Sequence, residues 1–132
     1  MNEVLVRTLD DRGILTVQLR DILGCLKASL IDAQWSLSGL WGLWSESYTD
    51  WAAELEQRSS DETVAIAWDE IQKLSLAARQ INDVLLVATV GEMRVFSVEA
   101  DDSTLWRVWA ADPDILDCIA RLGQHPGGTE AE

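Results

Sequence analysis

A chain of 132 residues, 48% of them hydrophobic, fits one domain that buries about two thirds of its unfolded surface. With 23 acidic against 10 basic residues the net charge is −13 and the pI about 4.2, a field that repels nucleic acid and anionic lipid and argues against both as partners. No apolar run approaches the ~20 residues of a membrane helix, and no basic-then-apolar leader opens the chain, so a soluble, cytoplasmic protein is expected.

In chain order, residues 3–9, the turn Asp10-Asp11-Arg12-Gly13 and Ile14-Leu15-Thr16-Val17 read as a β-hairpin. From 19 to 30, Leu19, Ile22, Leu23, Leu26 and Leu30 fall at helical spacing, with Gly24 weakening the middle by about 1 kcal/mol relative to Ala. Residues 33–44 alternate. Trp35, Leu37, Gly39 and Trp41 share one face and Ser36 and Ser38 the other, which predicts a strand with one wet side. Its doubled Gly-Leu-Trp places Gly39 and Gly42 where a bulge or a close backbone approach is expected. Ser47 and Thr49 are candidate N-caps for a short helix over 50–58, and 59–62 reads as a loop. Residues 63–66 predict a brief strand running directly into a helix lined by Trp68, Ile71, Leu74, Ala78 and Ile81, with Asp69 and Lys73 oriented for an i,i+4 ion pair.

The centre of the sheet is expected at 82–90, an apolar, β-branched-rich run between Asn82-Asp83 and Gly91 that reads as a strand buried on both faces. Residues 93–100 and 104–110 form an antiparallel pair about Asp101-Asp102-Ser103. Asp112 caps a last helix with Pro113 in its first position, Ile115, Leu116, Ile119 and Leu122 on its buried side and Gly123 at its end. Residues 124–132 lack apolar anchors and are expected to form a flexible tail. The order of elements predicts the α+β class: one domain over 1–123, with an antiparallel or mixed sheet of about five to six strands covered by helices.

Motifs for chemistry are scarce. His125, the one histidine, falls in the tail. Cys25 and Cys118 lie far apart outside any Cys-x-x-Cys pattern; they read as small buried hydrophobes in a reducing compartment, with a Cys25–Cys118 bond as the less favoured alternative. Gly-x-Ser-x-Gly, P-loop and dinucleotide glycine motifs are absent, so no catalytic residue, cofactor or metal is expected and the protein reads as a non-enzyme. Abundant carboxylates beside tryptophans leave a small-ligand binder or enzyme with a Trp-lined pocket as an alternative.

Charge distribution is more informative. Residues 46–70 hold eight acidic residues against Arg58 alone, and 99–117 hold six against Arg107. Seven tryptophans accompany them, and Trp106 and Trp109, of opposite parity on one strand, are expected on opposite faces. Trp44 and Trp51, next to the first acidic block, match the pattern of aromatic anchors ringed by charge.

The Trp-containing strand, the acidic helix with Trp51, Val64-Ala65-Ile66-Ala67-Trp68-Asp69-Glu70-Ile71, the Ile81-Asn82-Asp83 step and Val98-Glu99-Ala100-Asp101-Asp102-Ser103-Thr104-Leu105-Trp106-Arg107-Val108 resemble a group of small acidic bacterial proteins that look like immunity proteins of toxin systems. The resemblance covers roughly residues 14–122 and departs at Ala67, which lacks a capping hydroxyl, and at Ala100, which lacks a β-branch. It implies an inhibitor that occludes a basic partner such as a toxin. Glu46, Asp50, Trp51, Glu54, Asp101 and Asp102 are the partner-binding residues this reading selects. An acidic assembly subunit that forms a homodimer is the alternative.

Overall fold

The computed structural model describes residues 2–7, 12, 17–101 and 105–122. Six strands, β1 (Glu3–Arg7), β2 (Gln34–Trp44), β3 (Val64–Ile66), β4 (Ala78–Val90), β5 (Met93–Asp101) and β6 (Leu105–Ala110), form one antiparallel sheet in the order β1-β6-β5-β4-β2-β3. Five helices accompany it: α1 (Leu19–Leu23), α2 (Ala28–Ile31), α3 (Thr49–Asp61), α4 (Trp68–Ala77) and α5 (Pro113–Leu122). A 3-10 turn, Glu46–Tyr48, leads into α3. The α+β class and the six-stranded sheet agree with the expectation. The turn and second strand of the hairpin expected for β1 lie at residues 8–11 and 13–16, outside the described set; β1 itself pairs with β6.

Period-two alternation builds the core. Val4, Val108, Val98, Leu86, Leu37 and Val64 run straight across the sheet as one register row, and Ala110, Phe96, Ala88, Trp35 and Ile66 form the next. These side chains meet Leu19, Ile22, Leu30, Leu55, Ile71, Leu74, Ile115 and Ile119, so all five helices pack on the same face in one hydrophobic cluster. Each fully buried aliphatic or aromatic side chain there contributes about 1.5–3 kcal/mol. The rows of opposite parity, Glu3-Trp109-Ser97-Val87-Ser36-Ala65 and Leu5-Arg107-Glu99-Leu85-Ser38, stand outside that cluster. This corrects the expectation for β4. The strand is central, but Val84, Leu86 and Ala88 are buried while Leu85 and Val87 on its other side are only half-buried. An antiparallel sheet has no obligation to carry helices on both faces.

The wet-sided reading of β2 holds only for its first half. Gly39 has φ +63°, and one extra residue between Ser38 and Trp41 forms a bulge that reverses the parity. Trp41 therefore lies opposite Asp83, 60% exposed, rather than beside Trp35 and Leu37 in the core. Beyond Leu37 the free edge of β2 has no strand partner, because β3 pairs with it only at Trp35–Leu37. Helix α3 covers that edge. Ser59 Oγ accepts from the Leu40 N–H at 3.2 Å, and Glu56 Oε2 accepts from both the Gly42 N–H at 2.9 Å and the Trp44 indole N–H at 3.1 Å. These contacts are why residues 59–61, expected as loop, continue the helix. Replacing Glu56 with Ala strands two donors and is expected to cost about 2–3 kcal/mol in urea unfolding, against under about 0.5 kcal/mol for exposed Glu54→Ala.

The single helix expected over 19–30 is two short ones, separated at Gly24–Lys27. In that break sits Cys25, and it is bonded to Cys118 of α5 with a Cα–Cα separation of 5.7 Å, which overturns the reading of two separate thiols. The expectation of a reducing compartment rested on those thiols and loses that support. Lys27 closes the same junction with ion pairs to Asp112 at 2.7 Å and Asp114 at 3.2 Å. The Lys27 hydrogen bond, aided by the Asp114 backbone N–H, holds the Asp112 carboxyl below its ordinary range. Asp112 therefore adds stability above the ordinary carboxylate value, and that contribution is lost as pH falls through the lowered folded value. The Asp112 cap and the buried stripe of α5 are as expected, while Gly123 and the tail lie outside the described residues. Helix α4 ends at Ala77; Ala78 and Ile81, expected on its buried side, belong to β4 instead.

Candidate functional site

The 3-10 turn and α3 present one ridge. Ala52, Leu55 and Ser59 face the core, so the opposite side of the helix is exposed to solvent, and on it Glu46, Asp50 and Glu54 follow at four-residue intervals. All three are exposed. Trp51 flanks them half-buried, with the Lys73 ammonium of α4 at 4.5 Å from its ring centroid. Lys73 is thus held by an aromatic face, and not by the Asp69 carboxylate that helical spacing suggested. Asp50 in the first turn of α3 also suits the positive end of the helix dipole.

Four of the six residues expected to bind a partner are therefore brought together: Glu46, Asp50, Trp51 and Glu54. Asp101 ends β5, on a different part of the sheet but at the same end as Glu46, because β2 and β5 both run toward that end. Asp102 and the β5–β6 turn lie outside the described residues.

The tryptophans divide by environment. Trp35 and Trp106 are buried and donate their indole N–H to the Leu30 and Val17 carbonyls at 2.9 and 3.0 Å. Trp68 packs at 5.6 Å, tilted, on Trp35. Trp44, half-buried, donates its indole N–H to Glu56 and so also helps to hold α3 on the edge of β2. Trp106 and Trp109 do point to opposite faces; Trp109 is half-buried on the helix-free side under the Arg94 guanidinium, 4.1 Å from its ring centroid. Trp41 is the tryptophan sequence reasoning missed. Strict alternation assigned it to the core, and the only signal against that was the adjacent Gly39.

A shallow groove of about 700 Å³ opens beside Trp35 and Trp68, with Gln34, Ser36, Thr63 and Thr89 as its polar lining. None of its lining residues is ionisable. Among the described residues, no three His, Cys, Asp or Glu side chains group to hold a metal ion, and no helix is long and apolar enough to cross a membrane. Comparison of the chain with known protein families, characterised proteins and solved structures finds no match.

Proposed function

We propose that the chain is a non-enzymatic binding protein of the immunity type, occluding a basic protein partner such as a toxin through the ridge Glu46–Asp50–Glu54. The observation that carries this reading is the exposure of three carboxylates in line along the 3-10 turn and α3, outside the groove at Trp35 and Trp68, in a molecule of net charge −13. Such a surface accelerates encounter with a cation-rich face and sets the register of docking, while Trp51 supplies apolar area at its margin. Asp101, at the end of β5, lies at the same end of the sheet, and Asp102 follows it in the sequence. The groove at Trp35 and Trp68 offers stacking without a general acid or base, which favours the binding reading over catalysis there.

The test is co-expression with the protein encoded beside this gene, followed by co-purification and association kinetics. A complex is expected whose association rate falls at least tenfold in the Asp50→Lys/Glu54→Lys variant and falls steeply with salt. Alanine variants at Glu46, Asp50, Trp51, Glu54, Asp101 and Asp102 that all bind as tightly as the wild type remove the site assignment.

A further inference from the structure

The sheet face without helices has its own chemistry. Leu5, Trp41 and Leu43 are 54%, 60% and 59% exposed on it, and Leu85, Val87, Leu105 and Trp109 are half-buried between them. Its described charges are three arginines, Arg7, Arg94 and Arg107, against Glu3, Asp83 and Glu99, with Asp101 in the same register row as Leu105 and Arg7. Arg107 and Glu99 pair across β5 and β6 at 3.7 Å, with both side chains still over two-fifths exposed. The molecule as a whole carries −13, so nearly all its excess charge lies elsewhere.

We propose that this face is the interface between two copies of the chain. Two copies of so acidic a protein repel one another over most of their surfaces, and this apolar face of mixed charge is where they approach with least of that penalty. A basic protein partner finds no large excess of negative charge here, whereas an identical face supplies both arginines and carboxylates to meet its own. A two-fold axis parallel to the strands lays the β6–β1 side of one copy, with Arg7 and Arg107, over the β4–β2 side of the other, with Asp83 and Trp41. Strands at about 4.8 Å and about six residues of strand give a footprint of at most roughly 25 Å by 20 Å, or about 1,000 Å² for the pair, which is at the lower limit for a biological interface and fits a concentration-dependent dimer. The ridge on α3 remains free, so the dimer displays two of them.

Sedimentation velocity on the full chain at roughly 1–200 µM tests this directly. The expected result is a concentration-dependent species of twice the 14.7 kDa chain mass. Trp41→Arg and Leu5→Arg, each at an exposed position and each checked by circular dichroism for an unchanged fold, are expected to weaken association at least tenfold, and Asp50→Lys/Glu54→Lys to leave it intact. A monomer at every concentration, or a dimer indifferent to both arginine variants, overturns the inference. So does a dimer lost only in the α3 variant. Unchanged binding of the basic partner by Asp50→Lys/Glu54→Lys, with the dimer retained, would count against the ridge alone.

Discussion

Reducing the Cys25–Cys118 bond, or replacing both cysteines with serine, is expected to lower unfolding stability by about 4–5 kcal/mol. The bond joins residues 93 apart, so cutting it returns to the unfolded chain the loop-closure entropy of a segment nearly as long as the domain. Domains of this size have about 5–15 kcal/mol in total, which makes the loss a large fraction. Its location adds a native-state effect. The bond and the Lys27–Asp112 pair pin the α1–α2 break to α5, and α5 packs on β1 and β6. Urea unfolding with and without a thiol reductant measures the shift, and the serine double variant separates it from chemical damage. An unchanged midpoint on full reduction would show that the bond is not closed in the folded protein or that strain cancels its entropy.

Gly42→Ala is expected to cost about 3 kcal/mol, more than any other single-methyl addition to β2. A Cβ at Gly42 would sit 2.5 Å from the Gln80 carbonyl oxygen and 3.2 Å from the Ile81 Cα, both backbone atoms of the neighbouring strand. Backbone paired in a sheet has nowhere to go, so the β2–β4 register near the bulges must open, and with it the Glu56 contact to the Gly42 N–H. Gly39→Ala makes the contrast. No atom lies within 4 Å of its new methyl, and the cost there is the positive φ alone, about 1 kcal/mol. Thermal unfolding of the two variants side by side gives the order. Equal melting temperatures, or Gly39→Ala the worse, would refute the close-approach account.

Legibility in the sequence tracked how local each cause was. The meander β4–β5–β6, the brief β3 feeding α4 and the Asp112–Pro113 start of α5 were readable, because turn residues, capping groups and alternation act over a few residues. The glycines of the doubled Gly-Leu-Trp were readable as a bulge and a close approach. Which way Trp41 then pointed was not, since one bulge reverses every later side chain. Ser59 looked like a loop residue for the same reason: its hydroxyl is held by a strand edge 19 residues away. The acidic ridge was half legible. The acidic block 46–70 pointed to Glu46, Asp50 and Glu54, but that they line one exposed side was settled only by the packing of Ala52, Leu55 and Ser59 on the core.

What the chain determined by itself was its class, its acidity and the clustering of that acidity in two segments. Pattern and charge are additive along a sequence, so no partner is needed to read them. Which sheet face carries helices, which tryptophan stands in water and whether two cysteines meet were decided only in three dimensions. Each depends on a contact between distant residues, and many folds of equal local merit differ in such contacts.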